Sequence, residues 1–324
     1  MRITTIFLAC TAAAALTLCH PGVSRAADAA SIEVGDVSPT APNWPSFVAE
    51  DEGFYGKAGV APKVTYVGNV ANTVQQLVGG SFGVAVSTFD TAIRAMAKGS
   101  DAVMIGALVV KYPYSIMSDA NIKNAADMKG KTVVLPFAKD LLTFVWNQWV
   151  KSQGAEPGSI DQIYDGATPN RFAALAAHRA QAALLTQPFD FRAAANGQHK
   201  LLDIGAYARQ YGFLVVLSTP TWLKTHGNEA RGYLSALSQS VDWLYDENNR
   251  EAAIKILAAH TKLAPQYAAQ TYDYYIRELK PFSRRLVMAP GVVDSTIDTL
   301  IQLGDIKRSE IQRAKIIDAA YLPK

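Results

Sequence analysis

Apolar and polar positions change their period along this chain in a repeating order. Ile32-Glu33-Val34-Gly35-Asp36-Val37 alternates over most of its length and predicts a strand. Residues 45–59 carry apolar side chains at three- and four-residue spacing and end on glycine, which predicts a helix. A strand at 64–67, a helix at 71–78 closed by Gly79-Gly80, a strand at 84–86, a helix at 89–98 and a strand at 102–110 follow. This β-α-β-α-β order predicts a parallel sheet covered by helices on both faces. The pattern then restarts: strands at 132–135, 160–164 and 182–185 alternate with helices at 141–153, 170–179 and from about Pro188. After Ser218 the strands stop, and 230–245, 251–260, 265–279 and 292–302 read as amphipathic helices. The expectation is two α/β units of similar plan, each a mixed, mainly parallel sheet flanked by helices, with a helical C-terminal tail.

Ligands of open α/β sheets sit beyond the carboxyl ends of the strands. Here those ends are the loops at 38–44, 68–72, 87–90, 136–140, 166–170 and 186–190. Several open a helix on a capping residue. Thr88 precedes Phe89, Asp140 precedes Leu141, and Thr168 precedes Pro169 at a first-turn position. Helix N-termini present free N–H groups and a positive dipole end, so a cleft ringed by them favours anionic groups. Ordinary capping is the competing explanation for the same residues.

The chain has 324 residues, 49% of them hydrophobic and 18% charged, so it can bury a large core and is not a disordered tract. Thirty-one basic against 28 acidic residues is too balanced for a nucleic-acid footprint. No stretch after the N-terminus is apolar enough to span a bilayer. The N-terminus itself reads as a secretory signal peptide over residues 1–26. Arg2 supplies the charged region, residues 6–18 the apolar region, and Ser24-Arg25-Ala26 the small residues that place the cut before Ala27. The cut also removes Cys10 and Cys19, the only cysteines, which leaves no thiol for a disulfide, a nucleophile or a metal. Leu16-Thr17-Leu18-Cys19 partly matches a lipobox, but Leu18 stands where glycine, alanine or serine is wanted, so cleavage before Ala27 is favoured over lipid anchoring.

The segment from Asn43 to Val60, Asn-Trp-Pro-Ser-Phe-Val-Ala-Glu-Asp-Glu-Gly-Phe-Tyr-Gly-Lys-Ala-Gly-Val, resembles the first-helix signature of periplasmic ABC-transporter substrate-binding proteins. The branch is the one that handles nitrate, sulfonates, taurine and thiamine-pyrimidine precursors. Residues 76–85 resemble its helix-glycine-strand unit, 126–133 the entry to its second lobe, and 178–185 its G-x-V-D-A-A strand entry. The likeness runs over nearly the whole chain after the signal. It departs at Pro136-Phe137-Ala138-Lys139-Asp140, where the family often has a Gly-Ser pair or a nearby histidine, and at the replaced glycine and aspartate of the G-x-V-D-A stretch. The resemblance implies a two-lobe, type II-like periplasmic binding protein fold that delivers a small solute to a membrane permease working with an ATPase. It carries no cofactor and no metal, and a monomer is expected. Lobe 1 would comprise 27–111 plus 218–324 and lobe 2 residues 112–217, with hinge crossings near Tyr112 and Ser218.

Enzymatic readings are weaker. Gly79-Gly80-Ser81-Phe82-Gly83 satisfies G-x-S-x-G, but helix precedes strand there, the reverse of a nucleophile elbow. His178, His199, His226 and His260 are scattered without metal-ligand spacing. Thiamine-pyrimidine synthases of the yeast type resemble the same family but carry a cysteine cluster. That enzyme and a ligand-sensing periplasmic receptor are the alternatives to transport.

The expected solute contacts are the strand-end residues. Trp44 and Asn72 belong to the first lobe's loops, as do Ser87, Thr88, Phe89 and Asp90 at its third strand. Phe137, Lys139, Asp140, Thr168, Gln187 and Phe189 occupy the matching places in the second, and Tyr112 the hinge. Arg171, on a first helical turn, is within reach of the cleft. The aromatic residues among them point to a small organic, anionic solute, an aromatic acid ahead of taurine and nitrate last.

Overall fold

A computed structural model describes residues 29–289 and 291–324. The expected signal peptide, its cleavage point and Cys19 lie outside the described residues. The strands are β1 (Ala30–Asp36), β2 (Val60–Tyr66), β3 (Val84–Thr88), β4 (Val103–Val109) and β5 (Tyr114–Ser118). Then come β6 (Thr132–Leu135), β7 (Asp161–Tyr164), β8 (Ala182–Thr186), β9 (His199–Asp203) and β10 (Leu214–Ser218). They form two five-stranded sheets of the same plan, ordered β2-β1-β3-β10-β4 and β7-β6-β8-β5-β9. Each sheet is parallel apart from contacts made by one strand, β10 in the first and β5 in the second, which run antiparallel to their neighbours. This is the two-lobe α/β periplasmic binding protein fold.

The helices are α1 (Trp44–Asp51), α2 (Phe54–Lys57), α3 (Val70–Val78), α4 (Phe89–Ala97), α5 (Leu141–Ser152), α6 (Thr168–Ala176) and α7 (Phe189–Ala195). After them come α8 (Ile204–Tyr207), α9 (Pro220–Thr225), α10 (Gly227–Leu244), α11 (Arg250–Thr261), α12 (Pro265–Tyr272) and α13 (Val292–Gln302). The single helix expected at 45–59 is two, because Gly53 adopts φ 70° and breaks the run. The helix expected at 265–279 is α-helical only to Tyr272 and continues as π-helix over Asp273–Leu279.

Three strands, β5, β9 and β10, escaped the periodicity. β9 is polar and half exposed, and β5 carries Ser115 and Ser118 although all five of its residues are buried. β10 also moves a boundary. Because Leu214–Ser218 lies in the first sheet, the return crossing falls at 208–213, earlier than the Ser218 expected. The outward crossing occupies 110–113. The two run side by side: Phe213 N donates to Val109 O at 2.9 Å, and the Tyr112 and Phe213 rings lie 5.0 Å apart.

The C-terminal segment closes the first sheet. β4 is an edge strand, yet all seven of its residues are buried. Met104 N donates to Ile316 O, Asp318 N to Met104 O, and Val110 N to Pro281 O, so the tail satisfies the free edge. The tail also reaches the second half. Tyr275 Oη lies 3.3 Å from Thr186 Oγ1, and Lys111 Nζ donates to Leu279 O.

Candidate functional site

The carboxyl ends of β1, β3, β6 and β7 converge on a cavity of about 50 Å³ between the two sheets. Larger grooves occur elsewhere. One of about 570 Å³ lies under the C-terminal tail near Asp101 and Glu310, and one of about 660 Å³ lies on the flank of α3 and α4. Neither is ringed by strand ends of both sheets. The interlobe cavity is therefore the candidate site.

The first sheet contributes Asp36, the last residue of β1, and the turn that follows. Asp36 Oδ1 accepts from Val37 N at 2.6 Å, and Oδ2 accepts from Asn43 Nδ2. Thr40 Oγ1 donates to Asn43 Oδ1 at 3.2 Å, which orients that amide. Burial pushes the Asp36 carboxyl up to about 7, against the two hydrogen bonds that favour its charge. Thr88 caps α4 and turns its hydroxyl to Thr91 Oγ1 at 2.9 Å.

The second sheet contributes Arg171, the one arginine or lysine on the cavity wall. It is 1% exposed. Its Nε donates to Leu184 O at 2.6 Å, and Nη1 donates to Asp165 O and Gly166 O at 2.7 and 2.9 Å. Nη2 donates to Thr168 Oγ1 at 2.8 Å. A guanidinium has five N–H donors, and the Tyr114 hydroxyl is within reach of the one these four bonds leave over. The Tyr114 hydroxyl stands beside Thr168 and Arg171. Burial lowers the Arg171 pKa from its usual high value, and nearby Tyr114 and Asp140 oppose that. Asp140 caps α5 through Leu142 N at 2.8 Å. Burial first, and then the neighbouring Asp90 carboxylate, push its pKa up to about 7. Val37, Val70, Phe137 and Phe213 supply apolar wall.

The two halves touch around the cavity. Leu141 N, at the start of α5, donates to Asp90 Oδ2 on α4 at 3.3 Å. Ala41 N donates to Gln187 O at 3.2 Å. Gly166 approaches the loop after β2 so closely that a Cβ would stand 2.4 Å from Gly68 O. The conformation is closed.

Of the expected contacts, Thr88, Phe137, Asp140 and Thr168 line the cavity. The others are elsewhere. Trp44 is fully buried, edge-on to Tyr272 at 6.1 Å, and is core rather than a cover for the cleft mouth. Phe89 and Phe189 are likewise core, the latter 5.8 Å from Phe172. Ser87 spends its hydroxyl on Val70 O, and Asn72 lies on the first turn of α3, where Asn69 Oδ1 caps its N–H. Asp90 is ion-paired with Arg94 and joins the halves instead of lining the cavity. Tyr112 is buried in the crossing. Gln187 donates to Asp190 Oδ2. Lys139 is 80% exposed and 3.7 Å from Asp305, a solvated pair. Asp36, Asn43 and Tyr114 were missed. Asp36 and Asn43 flank an expected loop, and the signal was a polar pair bracketing it. Tyr114 lies on the strand that periodicity did not reveal.

The fold recurs in solved proteins. The alkanesulfonate-binding protein SsuA of Xanthomonas axonopodis pv. citri, solved with MOPS, superposes with TM-score 0.71 at 17% identity, covering 91% of this chain and 98% of that one. The aliphatic sulphonate-binding SsuA of Escherichia coli gives 0.69 at 19%, covering 90% and 99%. The periplasmic nitrate-binding protein NrtA of Synechocystis PCC 6803 gives 0.73 at 15%, covering 91% and 87%. Among curated proteins none matches the sequence. The sequence profile described as NMT1/THI5 like matches residues 43–251, well over half of the chain, so the chain belongs to the NMT1/THI5-like family.

Proposed function

We propose that this chain is the solute-binding component of an ABC importer, and that it captures a small organic anion between its lobes for delivery to a membrane permease. The observation that carries the reading is Arg171. A buried guanidinium on a cavity wall shared with the Thr168 and Tyr114 hydroxyls suits an oxyanion. Val37, Phe137 and Phe213 would cover the apolar body of the solute. The sulfonate- and nitrate-binding proteins of the same fold support an oxyanion, and the cavity size bears on which one. About 50 Å³ holds roughly four water-sized groups. That favours a compact sulfonate or carboxylate head with a short body. With Trp44, Phe89 and Phe189 in the core, the argument for an aromatic acid rests on Phe137, Phe213 and Tyr114 alone.

The lobes of this reading are residues 27–109 with the chain from Leu214 onward, and residues 114–207. The crossings at 110–113 and 208–213 act as the hinge. Binding rather than catalysis is inferred because none of the four described histidines lines the cavity, and the expected cut before Ala27 removes both cysteines. The protein would act as a periplasmic monomer, with permease and ATPase as partners. Among the described residues no helix is long and apolar enough to cross a membrane. An intact mass beginning at Ala27 tests the export step, and a lipidated Cys19 would contradict it. A thermal-shift panel of ethanesulfonate, taurine, benzoate and nitrate tests the site. A ligand at 100 times its Kd stabilises by about 2.7 kcal/mol. Arg171→Lys should lose the response, because a point-charge ammonium does not reproduce the fork. A response from none of the four anions would overturn the oxyanion reading.

A further inference from the structure

The charge balance of the cavity wall does not suit an anion as it stands. Two carboxyl groups, Asp36 and Asp140, share the wall with one cation, Arg171. A third carboxylate, Asp90, faces Asp140 from α4. An anion closed into that space would meet more like charge than opposite charge, in a site with little water to screen it. The two wall carboxyls differ in how they are held. Asp36 accepts a hydrogen bond on each oxygen, from Val37 N and from Asn43, and both favour the ionised form. Asp140 accepts on Oδ1 alone, from Leu142 N, and no donor within the chain reaches Oδ2 among the described residues.

The position of Asp140 changes with the lobes. It sits at the start of α5, and the N–H of the next residue, Leu141, donates across the interlobe boundary to Asp90. Closure therefore brings the Asp140 carboxyl up to Asp90, and opening returns it to water. The charged and titratable groups that face it in the closed state are Asp90 and Arg94 on α4, Arg171 on α6, and Tyr112 and Tyr114 at the start of the second half. Arg94 is already shared between Asp90 at 2.5 Å and Asp305 at 2.9 Å, and Arg171 is tied to three backbone carbonyls and Thr168. Both cations favour the charged form of Asp140, but less than burial and Asp90 oppose it. The Tyr112 hydroxyl is buried and unpartnered in the same region.

We propose that Asp140 takes up a proton when the lobes close, so that the protein captures its anion together with one proton and the protonated Asp140 donates a hydrogen bond into the cavity. The balance is open protein with Asp140 carboxylate, plus one anion, plus one proton, giving the closed complex with a neutral Asp140. The inference rests on the oxyanion reading for the identity of the anion, but not for the closure step. Burial and Asp90 hold the closed-state carboxyl at about 7, whereas a solvated aspartate titrates near ~3.9. The sign follows. Closure is favoured below about 7 and weakens as pH rises through that value. Above it, apparent affinity should fall by about tenfold per pH unit for one linked proton.

Two measurements on the purified protein test this, each against Asp140→Asn. Asparagine caps a helix as well as aspartate, so α5 is preserved and the side chain stays neutral at all pH. The first measurement is small-angle scattering without solute from pH 5 to 8.5. The parent should expand as pH rises through about 7, and Asp140→Asn should stay compact throughout. The second is calorimetric titration with ethanesulfonate in imidazole and in Tris, buffers that add no competing oxyanion. The parent should show a buffer-dependent heat equal to uptake of up to one proton, and Asp140→Asn none. If ethanesulfonate gives no heat in either buffer, the oxyanion reading fails while the scattering still decides the proton step. If the parent's dimensions do not change with pH, or Asp140→Asn keeps the parent's profile, Asp140 is not the proton carrier and the proposal is wrong.

Discussion

Gly166→Ala asks whether the closed conformation is the binding conformation. Gly166 is not in the left-handed region, so alanine fits its backbone, and of the three atoms nearest the new methyl only the Phe137 ring end belongs to its own half. In the closed one its Cβ would lie 2.4 Å from Gly68 O, 2.7 Å from Asn69 Cβ and 3.0 Å from Phe137 Cζ. Ordinary contact begins at 3.4 Å, and the nearest obstacle is backbone, so the halves must part by about 1 Å at this rim. The interlobe bonds from Leu141 N to Asp90 and from Ala41 N to Gln187 O are 3.3 and 3.2 Å long. They have no slack to follow such a retreat. A neutral bond contributes about 0.5–1.5 kcal/mol and one to a carboxylate about 1.5–3 kcal/mol. Losing both costs closure about 2–4.5 kcal/mol, or about 30- to 1,600-fold in affinity at 1.4 kcal/mol per tenfold. Calorimetry with the anion selected by the thermal-shift panel measures the loss, and scattering measures the contraction. The solute-free melting temperature should stay within about 1 °C of the parent. A Kd within twofold of the parent, with the parent's full contraction, would show that Gly68 and Gly166 do not meet in the bound state.

Trp44→Ala removes a fully buried indole wedged against Tyr272 and Tyr275, and should cost about 3–5 kcal/mol in urea unfolding. Solute affinity per folded molecule should hardly change, whereas a loss confined to binding would return Trp44 to the cleft. Asp36→Asn tests the other raised carboxyl. Its folded pKa, about 7, lies above the unfolded ~3.9, so its contribution to stability is full below ~3.9 and is lost as pH rises through about 7. The substitution should flatten that part of the stability profile, and an unchanged slope of urea midpoint between pH 4.5 and 8 would remove Asp36 as its source.

The alternation of short apolar runs with amphipathic stretches made most of the architecture legible, because buried parallel strands and their covering helices differ in period and length. The strands it concealed are those whose environment is set from a distance. β5 carries serine inside a closed sheet, and β10 reaches the first sheet only after the chain has built the second. The loops that ring the cavity were legible from strand-end reasoning, and so were Thr88 and Asp140 as caps, whereas Thr168 is the first residue of α6 behind Ala167 and its hydroxyl accepts from Arg171 instead. The aromatic residues were not. A ring in the connection that follows a strand can turn to the cleft, as Phe137 does, or into the core under its own helix, as Phe89 and Trp44 do. Side-chain direction at a helix start depends on the packing of the whole lobe, which a single sequence does not reveal. Arg171 was placed on its helix correctly, but its hold on one carbonyl of β8 and two of the loop after β7 is a tertiary fact.

The topology also limits how the clamp can open. Each sheet takes its antiparallel strand from a segment that has just crossed over, β5 into the second sheet and β10 into the first, and in both sheets that strand lies one position inside an edge. Rotation about the crossings therefore cannot be absorbed by sliding those strands, whose hydrogen bonds are made on both sides. It must be absorbed within 110–113 and 208–213, where Tyr112 packs on Phe213. A third connection is noncovalent. The π-helical segment Asp273–Leu279 follows helices packed on α1, yet Tyr275 reaches Thr186 and Tyr274 meets Phe191 edge-on at 6.4 Å. Opening must either break these contacts or drag the π-helical segment after the second half. A π-helix accommodates such a pull more readily than a regular α-helix, because its hydrogen bonds already depart from the i→i−4 ladder. The irregular segment thus sits where the tail must yield, and Tyr275→Phe, which removes one hydroxyl contact and keeps the ring, should shift the lobes toward the open form without unfolding the tail. Scattering of the solute-free variant reads that shift, and a radius of gyration unchanged from the parent would mean the tail does not restrain the hinge.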